Sequence, residues 1–566
     1  MIAAFTAADL EAAAVLSPGD VLTARRLAVL CGETAEPPLL ALAFAIRAVR
    51  LGSTCFDPAG EPPLAGDGSE LPWPDPHWWL AAVAGSRLGR VLSVEHDLIY
   101  LDRYRELEVA LCDDLVARAA LTAPALDEDL LAADLGRLFP GAEHADQRAA
   151  ADRAARLGTI VVTGGPGTGK TTTVAGVLAI LQAQSLATHG RPLRVALTAP
   201  TGKAAARMRE AVAATAHRLA LSDDERQWLT ELPSSTLHRL LGWQRHNHTR
   251  FRHDRVRRLP HDVVVVDETS MASLELVARL LEALRPDTRL ILVGDADQLA
   301  SVEAGAVLHD VVGGWSPDHV VRLTRSHRFG AAIGRFAAAV RDGDAETAIA
   351  LATAGDPAVR LVDPSEAAAV VEAAVLPTAR ALVDAGRSGD EAEAMRLLAR
   401  TRLLCAHRDG PAGAAWWNGR ISGALRDEVG HDRWYPGRPV LITRNDAQIG
   451  VFNGDAGVAI QRGDRVVVAV DADRVREFAP SRLPDLQTAY AMTIHRSQGS
   501  EFDHVTVMLP ERTSRLVTRE LLYTAVTRAV ETVTIIGSPD DIRWAIGRRV
   551  ARSSGIAERL AGPAAG

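Results

Sequence analysis

With 63 lysines and arginines against 71 aspartates and glutamates, the 566-residue chain carries a net charge of −8, which excludes a globally basic nucleic-acid coat. Its 47% apolar content suffices for roughly three or four packed domains, and no apolar run is long enough to span a membrane. Cys31, Cys55, Cys112 and Cys405 lie scattered without a CxxC pair, which reads as free thiols of a reducing cytosol rather than a metal or iron–sulfur site; the N-terminus lacks a signal-peptide layout.

Residues 1–140 read as a separate helical domain, with helical periodicity over Leu39–Leu51 and Leu98–Leu115. A Pro/Gly-rich loop from Phe56 to Pro76 interrupts it, followed by Trp78-Trp79, whose rings are expected in the core. No catalytic constellation is visible here, and a helical domain without chemistry of its own is expected to dock partners.

Residues 141–329 change rhythm. Ile160–Thr163, Val195–Thr198, Val263–Val266 and Leu290–Val293 are continuous apolar runs, the pattern of parallel strands buried on both faces. After the first run comes Gly164-Gly165-Pro166-Gly167-Thr168-Gly169-Lys170-Thr171-Thr172, a phosphate loop opening a helix. Its backbone N–H groups suit the phosphates of ATP or a relative, Lys170 the β- and γ-phosphates, and the Thr171 hydroxyl a Mg²⁺ ion. Only two of the 63 cations are lysines, Lys170 and Lys203 in Thr201-Gly202-Lys203, although arginine and lysine are not interchangeable where a cation must thread a tight loop.

Between Gln244 and Pro260 lies a basic run holding Arg245, Arg250, Arg252, Arg255, Arg257 and Arg258. It reads either as a phosphate-binding hairpin that helps part a duplex or as a solvated loop. Val263–Val266 then ends in Asp267-Glu268, where Asp267 suits the metal and Glu268 the role of general base towards the attacking water. Gln298, in Gly294-Asp295-Ala296-Asp297-Gln298, is a candidate for coupling the γ-phosphate to a nucleic-acid segment.

Residues 330–566 read as a second α/β domain, with strands near Val359–Val362, Arg402–Cys405, Val505–Leu509 and Val533–Ile536. A β-rich insert, about residues 434–475, interrupts it, with Asn453-Gly454 expected as a hairpin turn. After residue 529 only a helix near Asp540–Arg552 and an Ala/Gly tail are expected, leaving no room for a nuclease domain.

Taken in order, Gln147, Gly164–Thr171, Thr198–Lys203, Ser235–Leu240, Asp267–Met271 and Gly294–Leu299 resemble the motifs of superfamily 1 helicases. Leu323–Phe329, Thr493–Phe502 and Tyr523–Ala529 continue the series. Leu98–Tyr104, the wording of Thr493–Phe502, and Asn445-Asp446 with Asn453–Asp455 resemble most the RecD branch, the alpha subunits of exodeoxyribonuclease V. That resemblance implies two RecA-like motor domains, with an SH3-like barrel as the insert. It implies that Gln147 reads adenine, that Glu501 touches the ribose, and that Arg328 and Arg528 are arginine fingers. Thr201, His238, His495 and Ser497 fall where the family touches the DNA strand. The implied activity is a cytoplasmic, ATP- and Mg²⁺-dependent DNA helicase, translocating 5′ to 3′ on DNA ends. The implied partners are RecB-like and RecC-like subunits, and the implied process is break repair and recombination. The alternatives are a stand-alone RecD-like helicase and a regulatory ATPase subunit.

Overall fold

A computed structural model describes residues 6–66, 69–121, 125–244, 247–325, 331–446, 448–471, 475–483, 485–512 and 514–562. Among these, two parallel sheets, one small and one five-stranded antiparallel sheet, and a two-stranded hairpin organise the chain.

The N-terminal region packs helices Pro18–Cys31 and Glu36–Arg50 around an aromatic cluster, in which Phe44 meets Trp73 edge-on at 5.0 Å and Trp79 at 5.3 Å. The helical periodicity expected over Leu98–Leu115 is divided in two. Leu98–Leu101 is a strand paired with Leu92–Glu95, and the helix occupies Asp102–Ala119. The cause is local: His96 and Asp97 both adopt positive φ (52° and 59°), the backbone of a tight two-residue hairpin, and Leu-Ile-Tyr-Leu suits the returning strand.

That helix does not stay with the N-terminal region. Leu107, Leu111 and Leu115 share a core with Val161, Val264 and Leu290 of the first parallel sheet. Arg118, on its last turn, is buried and donates to Thr159 Oγ1 at 2.8 Å. Across this sheet the strands run Val320–Leu323, Thr159–Gly164, Arg289–Gly294, Val263–Val266, Val195–Ala199 and Ser234–Thr236, all parallel. Helices Ala145–Arg156, Lys170–His189 and Gly202–Ala216 cover the other face, so both faces are buried as the unbroken valine runs require.

The second parallel sheet runs Val359–Val362, Ala529–Ile536, Phe502–Met508, Thr401–Cys405 and Ala491–Thr493. The two sheets have the α/β build of RecA-like motor domains. The insert is a five-stranded antiparallel sheet extending from Pro439 to Thr488, beyond the expected end near 475. Its tight turn is Gly463-Asp464, joining Ala456–Arg462 to Arg465–Asp471 with Gly463 at φ 59°. Asn453-Gly454 instead closes a longer loop, held where the Asn453 N–H donates to Asn445 Oδ1 at 2.8 Å.

The C-terminal segment leaves the second sheet. Helix Ile556–Ala561 packs into the core beneath the first sheet, the Thr54 N–H donates to Ser553 O at 3.0 Å, and Arg559 pairs with Glu95. Residues 553–561 therefore strap the N-terminal region to the first motor domain. Among the described residues, no helix is long and apolar enough to cross a membrane.

Candidate nucleotide site

Strand Thr159–Gly164 feeds the loop and helix Lys170–His189 follows it, so the free N–H groups and positive end of a twenty-residue helix point at the loop's hollow. The loop needs its glycines: Gly167 and Gly169 adopt φ 77° and 85°, which side chains with a Cβ resist. Lys170 Nζ donates to Gly164 O at 2.7 Å and Gly165 O at 3.0 Å, coiled inside the loop a phosphate would fill. Among the described residues the Thr171 hydroxyl makes no hydrogen bond within the chain. Thr173 instead donates to Gly169 O at 3.0 Å and ties down the first turn, while Thr172 is half-buried beside it.

Gln147 arrives from the helix Ala145–Arg156. It is buried, and its Nε2 lies 2.9 Å from where a Cβ on Gly169 would be. Its Oε1 is buried without a hydrogen-bond partner, a costly state that a bound donor would relieve. Asp267 ends the Val263–Val266 strand and accepts the Glu268 N–H at 2.8 Å. Burial, and then the Glu268 charge, push its carboxyl upward, with Lys170 opposing. A cation beside Asp267 and Thr171 would remove that penalty, so the donor set fits Mg²⁺. Glu268 stands in the left-handed region (φ 49°), where a residue with a Cβ is strained, as functional-site residues often are.

The second motor domain closes the site. Tyr523 donates from its hydroxyl to Asp295 Oδ2 at 3.0 Å, and that hydroxyl lies 2.9 Å from where a Cβ on Gly165 would be. Burial raises the Asp295 carboxyl. Leu299 donates its N–H to Thr524 Oγ1 at 2.9 Å and accepts from Gln498 Nε2 at 2.7 Å. Arg528 is 3% exposed and donates to the carbonyls of Thr524 and Ser500, each at 3.2 Å, and to no carboxylate. Arg328, the other expected finger, lies outside the described residues.

The other expected site residues have these partners within the chain. Gln298 is buried and donates to Asp295 at 3.0 Å. Glu501 pairs with Arg207 at 3.1 Å, and the same arginine donates to Gly499 O at 2.6 Å, so this segment meets the helix Gly202–Ala216. Of the four DNA-contact candidates, Ser497 is fully buried with its hydroxyl donating to Ile494 O at 2.7 Å; it holds its own turn instead of facing a strand. Thr201 caps the helix by accepting the Ala204 N–H at 3.2 Å. His238 is exposed against Phe251, and His495 is half-buried, its imidazolium disfavoured by burial and then by Arg552. The basic run forms a hairpin of Trp243–Gln244 with Asn247–Phe251, and Arg245 lies outside the described residues. Arg255 is tied to Asp114 at 2.9 Å, which anchors the stretch after the hairpin to the body. The motifs did not reveal Tyr523, Thr524, Gln498 or Arg207 as the residues that join the halves.

An AAA domain family matches residues 147–304, and the UvrD-like helicase C-terminal domain matches residues 488–536. The chain is 50% identical over 562 residues to the RecBCD enzyme subunit RecD of Mycolicibacterium smegmatis, covering 97% of this chain and 98% of that one. It is 33% identical to the Haemophilus influenzae RecBCD enzyme subunit RecD, covering 71% of this chain and 70% of that one. An ATP-dependent RecD2 DNA helicase of Deinococcus radiodurans is 33% identical, with 73% of this chain and 52% of that one covered. Among solved structures, a Pif1 helicase from Candida albicans aligns with 73% of this chain and 97% of its own at 15% identity, with a TM-score of 0.37.

Proposed function

Because the chain belongs to the family of RecD subunits of the RecBCD enzyme, an ATP-dependent DNA helicase family, we propose that it is the motor that pulls single-stranded DNA through such a complex, moving 5′ to 3′. Its partners are RecB-like and RecC-like subunits docked on the N-terminal helices, its process is the repair of broken DNA ends, and its place is the cytoplasm. The observation that carries this reading is the composite site: Gln147 Oε1 waits unpaired beside Gly169, while Tyr523 of the second motor domain reaches the same loop.

In this reading Gln147 accepts the adenine amine, residues 164–172 wrap the phosphates, and Lys170 leaves the Gly164 and Gly165 carbonyls to meet the γ-phosphate. Thr171 and Asp267 would hold Mg²⁺, which would supply positive charge against the phosphates. Glu268 takes a proton from the attacking water. Arg528 is the finger: it must exchange the Thr524 and Ser500 carbonyls and the Thr527 hydroxyl for the γ-phosphate. Hydrolysis then releases the Tyr523, Gln498 and Arg207 connections together, which turns chemistry into relative motion of the two sheets.

Strand displacement on a tailed duplex, with Glu268→Gln as control, tests this. ATP-dependent unwinding that the control lacks is the expected result. ATP hydrolysis without unwinding, even with the partner subunits present, would favour the regulatory ATPase.

A further inference from the structure

Three consecutive side chains near the start of the helix Ala145–Arg156 have different partners. Asp146 accepts on Oδ2 from the Thr324 N–H at 2.8 Å and from the Thr324 hydroxyl at 2.7 Å. Arg148 donates from Nε to Phe139 O at 3.1 Å and from Nη2 to Gly141 O at 2.9 Å. Gln147, between them, is buried, and among the described residues its Oε1 has no hydrogen-bond partner. The two flanking charges bind segments on either side of the helix, and the middle side chain keeps a free acceptor in a fixed place.

The helix is pinned to the strand Val320–Leu323 at both of its ends. Beside the strand's start, Arg153 donates to Pro317 O at 2.7 Å and to Val320 O at 3.1 Å. Just past the strand's end, Asp146 holds Thr324. In the sheet, Leu323 lies opposite Gly164, where the phosphate loop begins, and a Cβ on Gly164 would come within 2.8 Å of Leu323 O. One strand end is therefore the common reference for the loop and for Gln147. Both bonds to Asp146 end on a carboxylate, and hydrogen bonds to an ionised group are stronger than those between neutral partners. Without them, Arg153 would still dock the helix, but its first turn would be free to shift.

We infer that Asp146 is a positioning residue for nucleobase selection: by tying the helix's first turn to Thr324, it fixes the Gln147 acceptor relative to the phosphate loop. The base favoured is then one that carries an exocyclic amine, rather than a carbonyl, at that acceptor. The inference rests on the reading of Gln147 as the adenine contact and adds the residue that aims it. A hydrogen bond weakens steeply as its distance and angle depart from the optimum, so a small shift of the first turn is enough to erode the preference.

The test uses the full chain with saturating single-stranded DNA and compares kcat/KM for adenosine and inosine triphosphates, which present an amine and a carbonyl at that place. The wild type should prefer ATP. Asp146→Ala should lower the preference about three- to tenfold, the worth of one hydrogen bond, with the loss falling on the KM for ATP more than on kcat. Asp146→Asn, which still offers an acceptor to Thr324, should recover part of it. Thr324→Val, which keeps the backbone donor, should lie between wild type and Asp146→Ala. On a Gln147→Ala background, Asp146→Ala should change the preference no further. A full ATP preference in Asp146→Ala, with or without a lower melting temperature, would overturn the positioning role alone. So would an equal further fall on the Gln147→Ala background, since Asp146 would then act other than through Gln147. A wild type that does not distinguish the two triphosphates would overturn the reading of Gln147 itself.

Discussion

Towards the cleft, the first motor sheet presents a glycine loop, a lysine and the carboxylates Asp267, Glu268 and Asp295, whereas the second presents Tyr523, Thr524, Gln498 and Arg528 and no phosphate loop. The two share a parallel build but, in the proposed function, divide the chemistry: one half would bind and activate, the other would supply the cation and the hydrogen bonds that register closure. Neither half is a complete hydrolase, so turnover must report the spacing between them. That is the physical requirement for a motor, since an ATPase complete within one domain would have no reason to move the other.

Substitutions on the two sides should fail differently. Arg528→Lys removes the planar fork and should lower kcat by about 10³-fold or more while leaving ATP binding near wild type, measured by steady-state hydrolysis and nucleotide titration. Glu268→Gln should lower turnover by about 10²- to 10⁴-fold with the nucleotide retained. Lys170→Arg should cost about 10²-fold or more, since a flat guanidinium does not fit between carbonyls that hold the ammonium at 2.7 and 3.0 Å. Tyr523→Phe deletes one bond across the seam and should cost about 1 kcal/mol, several-fold in DNA-stimulated turnover, with little change in melting temperature.

A purely structural change on the first side sharpens the contrast. Burial raises the Asp262 carboxyl, but hydrogen bonds from Arg194, Arg191 and Arg285 outweigh it and hold it well below the usual carboxylate range. A depressed carboxyl contributes stability above its unfolded value near 4 and loses it as pH falls through the folded value. Asp262→Asn should therefore destabilise the chain by about 1–3 kcal/mol at pH 7, and the gap to wild type should narrow below about pH 4 in denaturant titrations.

The strands of both sheets were legible wherever burial on both faces forced an unbroken apolar run, as in Val263–Val266. Ser234–Thr236 was not: a three-residue, half-buried edge strand needs no apolar signal. Leu98–Leu101 satisfied helical spacing and was diverted by the turn before it. The phosphate loop and Asp267-Glu268 were legible because their chemistry sits in consecutive residues. The partners that complete the site were not: Tyr523 and Asp295 are 228 positions apart, and Arg207 and Glu501 are 294 apart. No local pattern encodes which distant side chain will lie across a cleft. Ser497 shows the converse, since a motif position marks a segment while packing decides which of its atoms face outward.

The central claim is that hydrolysis is completed across the cleft. It is tested most directly by measuring kcat and the ATP dissociation constant of Arg528→Lys and Lys170→Arg side by side, with saturating single-stranded DNA. The account predicts that the second-domain change removes turnover and spares binding, while the loop change damages both. Full turnover in Arg528→Lys would contradict it and place the whole ATPase within the first motor domain.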